Sequence, residues 1–254
     1  MDGRERAAGE FVDIRMHSGY IVFKIYSQIN LMMMAHPEPR LACVIFDVDG
    51  TLTRTNELIF ASFNHVAAKY LGKTLAPQEI IALFGPPEDG ALLRLLGREK
   101  ARVAMDELCD YYRMHHKAMA SLHAGVDEVL RFLKGRKVKL AVFTGKGNRT
   151  VTITLQELGI SQYFDLVVSG TDVVNHKPHP EGIQRVLRTF DIHPSQALMV
   201  GDTLSDVKAS RSAGVRVAAA LWDSYDRDRM AQADTDLQFH EVGEMYAWFR
   251  THLN

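Results

Sequence analysis

Two aspartates one residue apart, Asp47 and Asp49, close the short apolar run Cys43-Val44-Ile45-Phe46. Gly50 and Thr51 follow at once, so the backbone can bend tightly there. Two carboxylates this close do not both ionise cheaply unless a cation lies between them or one keeps its proton. Either outcome serves chemistry. A metal would hold an anionic substrate, and one acid could attack while the other carries a proton. Three further segments carry polar groups in a similar setting. Val142-Phe143 runs into Thr144 and Gly145. His176-Lys177-Pro178-His179-Pro180 places one lysine in a proline-stiffened turn. Leu198-Met199-Val200-Gly201 leads into Asp202, followed by Thr203, Leu204, Ser205 and Asp206.

The elements that must position these groups alternate along the chain. Helical periodicity is read over residues 126–134, closed by Gly135, and an apolar strand over 138–143. A helix from 148 or 150 to 158, ended by Gly159, precedes a strand over 166–169. Residues 181–190 and 204–212 read as helices, and 197–200 and 215–219 as strands. Continuous apolar strands alternating with helices predict an α/β fold, a Rossmann-like parallel sheet covered by helices on both faces. In such sheets ligands sit beyond the carboxyl ends of the strands. That edge is where the three strands would deliver Asp47, Thr144 and Asp202.

Taken in this order, the four segments resemble the haloacid dehalogenase superfamily, over roughly Leu41 to the C-terminus. The resemblance implies a Mg2+-dependent phosphotransferase. Asp47 would be nucleophile and metal ligand, and Asp49 the general acid/base with its backbone carbonyl on the metal. Thr144 and the Gly145 amide would hold phosphoryl oxygens, and Lys177 would neutralise them. Asp202 would complete the metal site, and Asp206 would orient Lys177 or a metal-bound water. The residue types suit that chemistry on their own terms. A carboxylate can accept a phosphoryl group, and phosphoryl transfer needs mainly positioning and charge. Magnesium prefers an all-oxygen site with few protein ligands. Two of these residues also have plain structural uses. Asp202 could cap the helix that starts near Leu204, and an acid at Asp206 suits a helix's first turn.

Residues 57–121 lack strand character and carry helical periodicity, over 58–70 with Gly72 as a stop, over 91–96 and over 102–119. An insertion after the first motif resembles the small α-helical cap of one branch of the superfamily, a lid over the site. The expected organisation is therefore a core of residues 39–56 and 122–254, a cap of 57–121 and an N-terminal extension of 1–38. In the extension, Asp13, Arg15, His17 and Lys24 interrupt any apolar span, which argues against a transmembrane helix. Met32, Met33 or Met34 offers an alternative start, and Pro37 and Pro39 a linker.

Composition narrows the class further. The chain has 254 residues, 46% of them hydrophobic, and a formal net charge of −1 without a block of like charges. That speaks against a nucleic-acid or anionic-membrane surface. Two cysteines, Cys43 and Cys109, are too few for a disulfide framework, so a cytoplasmic setting is expected, as monomer or homodimer. His115 and His116 are neighbours on a helix and point apart. Arg227-Asp228-Arg229 reads as a solvated helix face, and Met114 and Met119 as core of the cap. Trp222 follows the last strand and reads as core packing near the site edge.

Asp49 separates phosphoryl chemistry from the metal-free dehalogenase branch, which lacks the second acid. Thr55-Asn56-Glu57-Leu58-Ile59 and Phe84-Gly85-Pro86 resemble the phosphoglycolate phosphatase and small pyrophosphatase subgroup. Arg54 departs from it, because an acidic or small polar residue is common there; it either adds charge for a doubly anionic substrate or faces solvent. The leading expectation is a phosphatase of a small phosphorylated metabolite, phosphoglycolate first. The alternatives are an inorganic pyrophosphatase, a β-phosphoglucomutase-like enzyme and a catalytically silent binding protein. Phosphonoacetaldehyde hydrolysis would need a cap lysine, and Lys69, Lys73 and Lys117 lack a recognisable context.

Overall fold

The computed structural model describes residues 40–253, so the expectations for the N-terminal extension lie outside the described residues. Six parallel strands build the main sheet: β1 (Cys43–Phe46), β4 (Lys139–Phe143), β5 (Leu166–Val168), β6 (Ala197–Gly201), β7 (Arg216–Ala220) and β8 (Leu237–Phe239). Their order is β5-β4-β1-β6-β7-β8, with β1 between β4 and β6. Alternate strand residues point to opposite faces, and both faces are buried. Val44, Phe46, Leu140, Val142, Leu198 and Val200 meet the helices α5 (Val126–Gly135), α6 (Asn148–Glu157) and α10 (Val242–His252). Cys43, Ile45, Ala141, Phe143, Ala197 and Met199 meet α7 (Glu181–Phe190) and α8 (Leu204–Ala213). Burial on both sides is why these strands are continuous apolar runs rather than alternating ones.

Register fixes the functional edge. Phe46 is level with Val142 on one side and Val200 on the other. The Asp47 amide extends that ladder, donating to the Val200 carbonyl at 2.9 Å. Asp47 is thus one residue past its strand beside Phe143 and Gly201, and Thr144 and Asp202 follow on either side.

Four helices, α1 (Asn56–Leu71), α2 (Pro77–Ile81), α3 (Glu88–Leu96) and α4 (Arg98–Met119), lie between the first motif and the rest of the sheet. They share their own core, with Leu58, Phe63, Val66, Leu92, Met105, Leu108 and Tyr112 among its buried members. Ile153 of α6 joins this cluster. Two short antiparallel strands, β2 (Thr53–Arg54) and β3 (Ser121–Leu122), carry the chain out to the helices and back. Met119 packs against that cluster, whereas Met114 is 78% exposed and is not core. It lies on the outer side of α4, away from buried Tyr112 and Cys109. Beyond β7 the helix face read at Arg227-Asp228-Arg229 belongs to the short helix α9 (Arg227–Ala231), and the structure adds the edge strand β8 and α10. Arg227, Asp228 and Arg229 are exposed on α9, as expected. Cys43 and Cys109 are free and buried. Among the described residues no helix is long and apolar enough to cross a membrane.

Candidate active site

The loop after β1 is a tight turn. The amides of Leu52 and Thr53 both donate to the Val48 carbonyl, at 2.8 and 3.0 Å. Gly50 takes a left-handed φ of 75°, and a Cβ there would lie 2.5 Å from Asp202 Oδ2. Glycine is therefore required twice, by conformation and by the close approach of an acid. The turn aims Asp47 into a cleft at the sheet edge, where its Oδ1 accepts from the Val48 amide at 2.7 Å. Asp49 is held at both oxygens. Oδ1 accepts a hydrogen bond from Thr55 Oγ1, and Oδ2 lies 3.3 Å from the Lys146 ammonium.

Lys177 comes from its turn to bridge two acids, 3.2 Å from Asp47 Oδ1 and 2.6 Å from Asp206 Oδ1. Its ammonium also lies over the Phe143 ring, 4.8 Å from the centroid. Asp202 Oδ1 accepts from Thr51 Oγ1 at 3.0 Å. Thr203, not Asp202, caps α8: its side chain accepts from the Asp206 amide, and Asp206 Oδ2 accepts back from the Thr203 amide at 3.0 Å. Asp202 is left free to face the cleft because its neighbour's hydroxyl closes the helix. Asp206 serves the helix with one oxygen and Lys177 with the other.

Asp47, Asp202 and Asp206 each bring a carboxylate oxygen within 4.8 Å of the others, all three buried. An all-oxygen, strongly acidic donor set fits a hard divalent cation. Electrostatics point the same way. Burial, opposed by Lys177 and reinforced by Asp206 and Asp49, pushes Asp47 up to about 6. Burial and the neighbouring Asp47 and Asp206 hold Asp202 well above the ordinary carboxylate range. Three acids crowd a water-poor space with one ammonium between two of them. A divalent cation would relieve that crowding.

Thr144 and Gly145 line the same cleft, a cavity of about 180 Å³. The Thr144 amide continues the sheet by donating to Val168 at 3.1 Å, and its side chain is buried. The seven residues expected at the site from the sequence thus converge. The cavity is also lined by Asn56, from the run that carries the subgroup resemblance, and by three residues without a role in the sequence reading: Lys146, Glu88 and Tyr225. Lys146 is two positions beyond Thr144, so the run Thr-Gly-Lys was a usable signal. Glu88 and Tyr225 arrive by tertiary packing and left no local trace.

Phe84, Gly85, Pro86 and Pro87 line the cavity, so their turn faces the site and is more than a helix connection. Arg54 does not reach it. Its Nε donates to His123 Nδ1 at 3.2 Å, and it lines a separate cavity with Glu57, Lys117 and Asp223. His176 and His179 line a third cavity, away from Asp47. Lys69 and Lys73 are surface ion pairs with Glu107 and Glu79. His116 is buried, while His115 packs on Tyr111. Trp222 packs on the core and donates from Nε1 to the Thr51 carbonyl at 3.0 Å, which braces the turn after β1.

The family model of haloacid dehalogenase-like hydrolases matches residues 44–220. A pyrophosphatase, PpaX of Bacillus cereus strain B4264, is 31% identical over 206 residues, 81% of this chain and 95% of that protein. Two solved structures share the fold. One, from Haemophilus somnus 129PT and described as a predicted phosphoglycolate phosphatase, has a TM-score of 0.73 at 24% identity, covering 82% of this chain and 97% of its own. The other is CbbY of Rhodobacter sphaeroides in complex with phosphate, with a TM-score of 0.70 at 22% identity, covering 81% and 96%.

Proposed function

The chain belongs to the haloacid dehalogenase-like hydrolases, and from that premise we propose a magnesium-dependent phosphatase of a small phosphorylated metabolite, with phosphoglycolate as first substrate. The observation that carries the proposal is the junction at Asp47. A buried carboxylate faces a cleft, with one lysine at 3.2 Å and two further acids within cation-sharing distance. Asp47 and Asp202 would hold magnesium with the Asp49 carbonyl, Asp206 would orient Lys177 beside them, and the ion would supply positive charge to the phosphoryl oxygens.

Asp47 attacks phosphorus and the bond to the ester oxygen breaks, leaving an aspartyl-phosphate. Asp49 gives its proton to the departing oxygen. Asp49 then takes a proton from water as that water attacks phosphorus, and phosphate leaves with Asp47 regenerated. Thr144 and the Gly145 amide offer hydrogen bonds to the phosphoryl oxygens, and Lys177 offers charge. Residues 57–121 act as a cap over the cleft, their Ile59, Phe63, Phe84 and Ala91 meeting the leaving group. Two buried free thiols suit a reducing compartment such as the cytoplasm.

A panel of phosphorylated metabolites, assayed for phosphate release with and without magnesium, tests the reading. Release that needs magnesium is expected, and no release from any ester would defeat it. Asp47→Asn keeps the shape and removes the nucleophile, so its release should fall below detection. One observation favours a second reading, inorganic pyrophosphate as substrate: the Bacillus cereus relative named a pyrophosphatase matches across 95% of its length. Comparing turnover on pyrophosphate and phosphoglycolate decides between them.

A further inference from the structure

Lys146 is a buried ammonium that the chemistry above does not use. It is 5% exposed, and three groups box it in. Asp49 Oδ2 lies at 3.3 Å and Glu88 Oε1 at 3.8 Å. The Tyr112 ring lies beneath it, 4.7 Å from centroid to nitrogen. Glu88 and Tyr112 belong to the helical cap, whereas Asp49 and Lys146 belong to the core. Burial works against the charge, but Asp49, Tyr112 and Glu88 together hold the ammonium protonated, above the ordinary lysine range.

Glu88 is itself tightly fixed. Its Oε2 accepts from the Gly147 amide at 2.6 Å, and its Oε1 accepts from Thr150 Oγ1, also at 2.6 Å. Those donors form the first turn of α6, where a carboxylate is favoured by the helix dipole. The fit leaves no room at Gly147, where a Cβ would fall 2.9 Å from Glu88 Oε2. Tyr112 is anchored on the same helix, its hydroxyl 2.9 Å from Thr154 Oγ1. The cap therefore grips α6 with one acid and one phenol, and both face Lys146.

We propose that Glu88 is a positioning residue for the general acid/base: with the cap closed, it sets Lys146, and Lys146 sets the Asp49 carboxylate against the leaving oxygen. The proposal rests on the phosphatase reading above. Asp49 has two oxygens and two tethers. Thr55, at the hinge into α1, fixes one, and Lys146 fixes the other. An open cap takes Glu88 and Tyr112 away, and Lys146 is then free to follow Asp49 rather than to hold it. Proton delivery thus becomes tied to closure.

The test compares two esters of nearly the same shape, phenyl phosphate and 4-nitrophenyl phosphate, at saturating magnesium. Phenolate leaves poorly without a proton, and nitrophenolate leaves well without one. Glu88→Ala should lower kcat/KM for phenyl phosphate by roughly 10- to 100-fold, part of what a general acid supplies, and for 4-nitrophenyl phosphate by less than about 3-fold. Lys146→Met should show the same split. A merely structural role would depress both esters alike, so equal losses, or no loss on either, overturn the proposal. If Glu88→Ala melts below the assay temperature, Glu88→Gln carries the test, because it keeps the shape and removes the charge facing Lys146. Wild-type protein that hydrolyses neither ester would strike at the phosphatase reading itself, a result distinct from loss of the split.

Discussion

Gly50→Ala perturbs the site without removing a titratable group. At a φ of 75° an added Cβ is strained, at about 1–2 kcal/mol. The same Cβ would lie 2.5 Å from Asp202 Oδ2 and 2.9 Å from its Cγ. Asp202 is 2% exposed and tied to Thr51, so it cannot simply swing away. Forcing buried atoms apart adds about 1–3 kcal/mol. The sum is about 2–5 kcal/mol, or roughly 4–20 °C in Tm at the 2–4 °C per kcal/mol typical of a chain this size. An internal control separates the two contributions. Gly72 also has a positive φ, 66°, but a Cβ there meets nothing within 4 Å. Gly72→Ala should therefore show the conformational part alone, about 1–2 kcal/mol. Activity should separate the variants further. Restoring an ordinary 3.4 Å contact moves the Asp202 oxygen by close to 1 Å, and misplacement on that scale costs about 10²-fold in rate. The assay is thermal melting by circular dichroism, with phosphate release over a magnesium titration. If Gly50→Ala melts with Gly72→Ala and keeps the wild-type magnesium half-saturation, the close approach of Gly50 to Asp202 is not functional.

Other outcomes follow from the same geometry. Burial pushes Asp47 up to about 6 and raises Asp202 as well, so bound magnesium must displace protons at pH 6; calorimetry in buffers of different ionisation enthalpy should show this, and binding without proton release would count against it. Lys177→Met strips the counter-charge from Asp47 and Asp206, which should destabilise the metal-free protein by about 3–5 kcal/mol at pH 8. The loss should shrink at pH 5, where Asp47 carries a proton, and urea unfolding that gives the same loss at both would refute it. Burial, then Arg54, lowers His123 to about 4. Its folded value lies below its unfolded one, so its contribution is full above pH 6.5 and fades as pH falls toward 4. Wild type should lose roughly 3 kcal/mol over that range, and His123→Gln should lose measurably less in urea titrations at pH 7 and 4.5; parallel curves would remove His123 as the cause.

Legibility from the sequence tracked locality. Asp47, Thr144 and Asp202 each end a buried apolar run, and a parallel sheet brings such ends to one edge, so their convergence could be read from pattern alone. Apolar residues recur at helical spacing between Pro180 and Asp191 and predict a helix over residues 181–190, the bounds the structure shows. Other positions carried two readings that only packing separates. Asp202 and Thr203 both suit a helix cap, and the Thr203 hydroxyl takes it. Met114 and Met119 look alike in sequence, yet they fall on different sides of α4. Strand β8 has a polar residue, Gln238, between Leu237 and Phe239, too short a run to show a period. Glu88 contacts groups about 60 positions away, at Gly147 and Thr150. No window along the chain contains that relation.

The two-rung ladder Thr53–Leu122 and Arg54–Ser121 gives the molecule a natural seam. Entry and exit of the helical segment run side by side there, and the His123 amide donates to the Leu52 carbonyl at 3.1 Å just beneath. A segment transplanted between Arg54 and Ser121 from a cousin would inherit the same two rungs without rewiring the sheet. The seam divides the stretches that carry Asp47, Thr144 and Asp202 from the stretch that carries Glu88 and Tyr112, so a working transplant must bring along the acid and the phenol that meet α6 and Lys146.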